Sequence, residues 1–262
     1  MMLDEPYRWA EAVSNRREDV EDQLRGGSPV VGIAYKDGAL LLTLSQRQQK
    51  VFEIYDQIAM AAIGHPTDIE KLRHVALDMA SVIGFNYSDS DVTLQQIVHF
   101  GLGPTVKTAF DEIIRSPFIV RVLLVELNGS GGGAVFYTVD YDGVFNKSEG
   151  SGALAGMLEA DRLMGRRLSG VDTHRLSLKK ALEEALQAWA TGRWVGNLDE
   201  IPQEKSELEK AVGEADLDDL LRKELEDLEV EVAILQRSRS GKCKYRILSG
   251  KEIEASIKAY RA

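Results

Sequence analysis

The sequence predicts an α+β protein, a four-layer αββα sandwich of two mainly antiparallel sheets flanked by helices, with an N-terminal extension helix. Three observations lead there. Apolar runs of strand length meet across very short connections such as Lys36-Asp37-Gly38, and a link that short joins only antiparallel neighbours, with Asp-Gly supplying the backbone a tight hairpin needs. Segments of helical periodicity arrive in pairs between the strand groups. Each element carries an apolar face, and two sheets face to face with helices outside bury all of those faces.

The elements follow in order. Residues 1–27 read as a polar helix with a thin stripe of Trp9, Val13, Val20 and Leu24, ended by Gly26 and Gly27. Val30 to Tyr35 and Ala39 to Leu44 form the first hairpin, and Val51 to Tyr55 with Ile58 to Ile63 form a second around Asp56-Gln57. Residues 67–83 have helical spacing (Ile69, Leu72, Val75, Ala76, Met79, Ala80, Ile83), and 92–114 give another helix. Strands return at Phe118 to Leu127, Ala134 to Asp140 and Val144 to Lys147, with Asn128 through Gly133 as a turn. Helices are expected at 151–167 and 177–192. The acid-rich stretch at 196–228 reads as an exposed insertion, with a short stripe of Leu217, Leu220, Leu221 and Leu225. A strand pair, Val230 to Gln236 and Lys244 to Leu248, and a helix from Gly250 or Lys251 close the chain. Residues 28–262 are thus expected as a single sandwich domain behind the extension.

Composition narrows the function. At 262 residues with 44% hydrophobic content the chain can bury a sizeable core. Apolar runs fall short of the roughly 20 residues a membrane span needs, and the charged start lacks the apolar centre of a signal peptide, so a cytoplasmic, membrane-free protein is expected. A net charge of -10 removes phosphate-backbone attraction as a driving force, which argues against nucleic acid. The lone Cys243 makes neither an internal disulfide nor a zinc site.

Several motifs invite chemistry and fail on context. The Asn128 to Gly133 stretch lacks the lysine and helix of a phosphate loop. Gly150-Ser151-Gly152-Ala153-Leu154-Ala155 matches G-x-G-x-x-[GA], but it lacks a parallel βαβ unit, and a helix start with small residues for close packing is the expected structure. His65, His74, His99 and His174 show no metal-ligand spacing. No metal or cofactor is expected. Ser28 and Lys50 remain. A serine at a chain terminus can use its own α-amine as base, which here requires cleavage between Gly27 and Ser28.

The blocks "RGGSPVVGIAYKDGALLLT", "KVFEIYDQIAMAAIGHPTDIEKLR", "FNYSDSDVT", "YTVDYDGVF" and "EGSGALAGMLEADR", in that order, resemble the proteasome subunits of the N-terminal-nucleophile hydrolase superfamily. With "LEVEVAILQRSR" near the end, the resemblance is to α-type subunits of actinobacterial-type bacterial proteasomes. It implies stacked heptameric rings in which non-catalytic α rings cap and gate proteolytic β rings that degrade unfolded proteins. It puts Ser28 at the position of the β-type nucleophilic threonine and Lys50 at that of its lysine, with Thr43-Leu44-Ser45 where the acid would lie. Pro29 after Ser28, the apolar Leu44 and the retained helix upstream argue for the α type, with no catalytic residue. The alternative is a self-processing peptidase using Ser28 and Lys50. In the α-type role, Lys50 binds the terminal carboxylate of an activator, commonly a ring ATPase. Residues 1–27 then serve as the extension helix and gate segment, with no gating role assigned to individual side chains at Pro6-Tyr7-Arg8-Trp9.

Overall fold

The computed structural model describes residues 5–46, 48–112, 114–128, 133–198, 200–202 and 204–261. The first helix, α1 (Glu5–Arg25), ends as expected at the glycine pair, where Gly27 N donates to Leu24 O at 2.8 Å. Strands β1 (Val30–Tyr35) and β2 (Gly38–Ser45) follow, then β3 (Val51–Tyr55) and β4 (Ile58–Gly64), each pair antiparallel. Helix α2 (Pro66–Asn86) starts at His65, whose ring accepts from Thr67 N, with Pro66 at the first helical position where its missing N–H costs nothing.

The expected helix at 92–114 is α3 (Leu94–Gln96), a π-helical run Ile97–Leu102 and α4 (Gly103–Asp111) in continuous succession. Gly103 N bonds back to Val98 O, widening the turn just before Pro104, which has no N–H to give. Strands β5 (Val120–Leu127), β6 (Ala134–Val139) and β7 (Phe145–Glu149) come next. Residues 129–132 of the expected turn lie outside the described residues; at its base Asn128 N donates to Gly133 O at 3.0 Å.

One expectation is overturned. The helix expected from 151 is a short strand, β8 (Ser151–Leu154), paired antiparallel with β1, and α5 begins only at Leu158 (Leu158–Ser169). The G-x-G stretch is therefore not a helix start. Strand β7 belongs to one sheet and β8 to the other, so the chain crosses between them at Gly150, whose φ of 79° suits glycine. Gly150 N donates to Ala134 O at 3.1 Å in one sheet, and its carbonyl accepts from Ala34 N at 2.7 Å in the other. Gly152 lies opposite Gly32 in the ladder, and the Phe136 ring occupies the space that their absent side chains leave.

Helix α6 (Leu178–Gly196) is capped by Ser177. The acid-rich segment folds into α7 (Lys205–Glu214) and α8 (Leu217–Asp227). Most acids of α7 and α8 face water, with Glu224 turned to Arg193, while Leu208, Leu217, Leu221 and Leu225 are buried in the same apolar cluster as α6, so the segment covers core as well as carrying charge. Strands β9 (Glu229–Gln236) and β10 (Tyr245–Ile247) and helix α9 (Gly250–Arg261) complete the chain.

The sheets have the orders β10-β9-β2-β1-β8 and β3-β4-β5-β6-β7. Their two faces separate three apolar layers with the period of a strand. On β1, Val30 and Ala34 join the layer between the sheets, while Val31, Ile33 and Tyr35 face the layer under α5 to α9. On β4, Ala59, Ala61 and Ile63 face the other sheet, and Ile58, Met60 and Ala62 face α2 to α4. Val20 and Leu24 of α1 enter the inter-sheet layer and close its end. This is the αββα sandwich that the sequence predicts.

Candidate functional site

Ser28 lies where α1 hands over to β1, and its hydroxyl is fully engaged. Oγ donates to the Leu44 carbonyl at 2.5 Å and accepts from the indole Nε1 of Trp189 at 3.1 Å. Thr43 Oγ1, 3.5 Å from Ser28 Oγ, is itself turned to the Pro29 carbonyl at 2.8 Å. A serine becomes a nucleophile when a base takes its proton. Among the described residues the acceptor here is a peptide carbonyl, and the residue at the acid's position, Leu44, is buried and apolar.

Lys50 stands at the head of β3. The Glu231 carboxylate, on β9 of the other sheet and directly opposite Thr43 in the β2–β9 ladder, accepts Lys50 N at 2.9 and 3.2 Å and Val51 N at 3.0 Å. Burial holds the Lys50 ammonium below its ordinary 10.5; Glu231 opposes that shift and Arg193 adds to it. Burial pushes the Glu231 carboxyl above its ordinary 4.5, against the pull of the two backbone N–H groups and the Lys50 charge. Arg193, one turn beyond Trp189 on α6, pairs with Glu224 of α8 at 2.8 Å. Ser28 and Lys50 thus belong to one corner, linked through Thr43 and Glu231, while among the described residues no hydrogen bond joins them directly.

Trp189, Glu231, Arg193 and Glu224 escape sequence reasoning. Each is an ordinary residue of a helix or strand: the packing of α6 and α8 over the first sheet brings Trp189, Arg193 and Glu224 to this corner, and the stacking of the two sheets brings Glu231 to Lys50. The histidines take structural places: His74 Nδ1 lies 2.7 Å from Glu70 O, and His99 stacks on Phe145 with ring centres 4.6 Å apart. Larger clefts lie elsewhere. One of about 550 Å³ opens between α5, α6 and the α7–α8 pair, lined by Leu163, Gln187 and Leu217 among others.

A second polar cluster braces the far end of the sheets. Arg121, 5% exposed, pairs with Asp140 at 3.0 Å and with Asp161 at 2.7 Å, and it donates to the Ala155 carbonyl at 2.5 Å. Desolvation works against the Arg121 charge, and the two carboxylates outweigh it. Burial pushes Asp161 up to about 6 against the opposing pull of Arg121 and the Ala155 N–H. Beside it, Tyr141 bonds Glu21, Arg17 pairs with Asp142 at 3.0 Å, and Arg16 donates to the carbonyls of Phe110 and Glu112 at 2.9 Å each. These contacts fasten α1 across the end of the sandwich.

Fold and corner together define a class: a two-sheet αββα sandwich in which the serine hydroxyl ahead of the first strand is a structural hydrogen-bonding group. The chain belongs to the proteasome subunit family, whose sequence model matches residues 24–194. Among its relatives, the proteasome subunit alpha of Streptomyces scabiei is 26% identical over 95% of this chain and 90% of its own length. That of Salinispora arenicola is 33% identical over 63% of this chain and 59% of its own. The Saccharomonospora viridis subunit is 27% identical over 93% and 86%.

Proposed function

We propose that this chain is a non-catalytic α-type ring subunit of a proteasome core particle, which assembles with β-type proteolytic subunits and controls the entry of unfolded protein substrates. The observation that carries the reading is the engaged Ser28 hydroxyl, held between the Leu44 carbonyl and the Trp189 indole. Similarity to named alpha subunits over nearly the whole chain supports it. Residues 1–27 act as an extension helix with a gate segment, ahead of one sandwich domain at 28–262. Peptide cleavage, of threonine type, belongs to the β partner.

In this reading the ring is heptameric and cytoplasmic, and Lys50 receives the terminal carboxylate of a ring ATPase or other activator in a pocket between neighbouring subunits. A charge-assisted hydrogen bond of this kind contributes about 1.5 to 3 kcal/mol, and several tails on one ring add by avidity. A self-processing peptidase acting through Ser28 is not favoured, because cleavage after Gly27 would discard α1, whose Val20 and Leu24 close the core. Intact mass and negative-stain imaging of the chain, alone and co-expressed with a β-type partner, test the proposal. Full-length chains in mixed rings support it, and loss of residues 1–27 on maturation overturns it. Lys50→Ala is expected to leave assembly intact and to weaken activator-stimulated degradation; unchanged stimulation removes Lys50 from the docking role.

A further inference from the structure

The backbone of Lys50 is held before any ligand arrives. At the edge of a sheet, N–H groups have no strand to pair with, and those of Lys50 and Val51, where β3 begins, are taken instead by one carboxylate from the opposite sheet, Glu231. The charged groups around the Lys50 amine are Glu231 on β9, Arg193 on α6 and, through Arg193, Glu224 on α8. Both carboxylates are already occupied, Glu231 by backbone N–H groups and Glu224 by the Arg193 guanidinium. Among the described residues the Lys50 amine has no hydrogen-bond partner or ion pair, so its donors are left for a ligand.

We propose that Glu231 is a positioning residue for Lys50, fixing the lysine at the head of β3 so that its ammonium meets a chain-terminal carboxylate already placed. The inference rests on the reading of Lys50 as the docking lysine. Glu231 acts twice. Its oxygens set the backbone from which the long side chain departs, so less freedom remains to be lost on binding. Its charge opposes, in part, the desolvation of the Lys50 amine and the repulsion from Arg193, which together hold that amine below its ordinary value.

The test uses the full-length assembled chain and a fluorescent synthetic peptide ending in Leu-Tyr-Leu, as the free acid and as the C-terminal amide. Binding is followed by anisotropy between about pH 6 and 10, a range that brackets discharge of a depressed lysine. The free acid is expected to bind more tightly than the amide, and Lys50→Ala to abolish the difference. Glu231→Ala is expected to weaken the acid by about tenfold, the factor set by ordering one flexible side chain on binding. Glu231→Gln keeps the volume and removes the charge, and its alkaline loss of binding is expected at lower pH than in the parent. Glu231→Asp keeps the charge with a shorter reach, and it is expected to weaken binding without moving that limb. If Glu231→Ala unfolds, the Gln and Asp variants decide. Parental affinity and an unmoved limb in Glu231→Gln, with Lys50→Ala inactive, overturn the positioning role alone. Parental binding by Lys50→Ala overturns the docking reading beneath it as well.

Discussion

Trp189 Nε1 donates to Ser28 Oγ at 3.1 Å, across 161 residues of sequence. The contact joins the middle of α6 to the residue that leads into β1, and it makes that hydroxyl a structural bridge. With the Leu44 carbonyl accepting from the same oxygen, Ser28 satisfies two buried groups that would otherwise be orphaned.

Ser28→Ala is accordingly expected to be a stability variant. An unpaired indole N–H and an unpaired carbonyl cost about 1 to 3 kcal/mol, read as a lower urea midpoint at unchanged slope. Degradation by rings rebuilt with a β-type partner should run at the parental rate; a collapse of activity in correctly assembled rings would falsify the non-catalytic reading.

Gly152→Val probes the crossing between the sheets. A Cβ at 152 would stand 2.8 Å from Leu123 Cδ1 and 3.1 Å from Phe136 Cβ, with Gly32 opposite leaving only 2.5 Å to Phe136 Cε1. Overpacking a filled core costs about 1 to 3 kcal/mol. Chemical denaturation measures it, and a neutral outcome would mean that the Phe136 ring can move aside.

Arg121→Met leaves Asp140 and Asp161, both largely covered, side by side without their cation. Removing one member of such a cluster costs about 3 to 5 kcal/mol. The double variant with Asp161→Asn should recover part of that loss, and strict additivity in the cycle would show that the two residues are uncoupled.

Asp161 also gives a signed dependence on pH. Its carboxyl is raised by burial to about 6 from an ordinary 3.8, so the fold holds this proton more tightly than the unfolded chain does. The resulting stability is fully present below 3.8 and is lost as pH rises through about 6. Asp161→Asn should flatten that part of the stability profile, as measured by denaturation at several pH values. A slope identical to the parent's assigns the dependence to other groups.

Leu221→Ala tests whether the acidic segment contributes to the core. Leu221 is 0% exposed, in the cluster beneath α6 and α9. A buried leucine cut to alanine costs about 2 to 5 kcal/mol. An effect within about 0.5 kcal/mol, the usual range for surface positions, would mark α8 as an appendage.

Much of this molecule is written locally. Asp37-Gly38 and Asp56-Gln57 between apolar runs determine hairpins, the glycine pair after Arg25 determines where α1 stops, and the unbroken apolar runs of β1, β2 and β4 mark strands buried on both faces. The pattern also marks where Ser28 and Lys50 stand, each just ahead of an apolar run, while their roles are implied only by the resemblance. The strand Ser151–Leu154 was not legible. Three small residues and a leucine carry no strand pattern of their own, and they form a strand only because β1 offers its edge and Phe136 fills the space over Gly32 and Gly152.

By itself, then, the sequence determined most of the strands and helices, β8 excepted, how neighbouring ones pair, and that two sheets must share a core, because turn chemistry and hydrophobic period are properties of adjacent residues. Only the tertiary structure decided what the key side chains do. That Ser28 is bound by Trp189, that Lys50 is anchored by Glu231 across the gap between sheets, and that the acidic helices bury their leucines depend on contacts between distant parts of the chain. Their partners are fixed by how the layers stack, which no local pattern encodes.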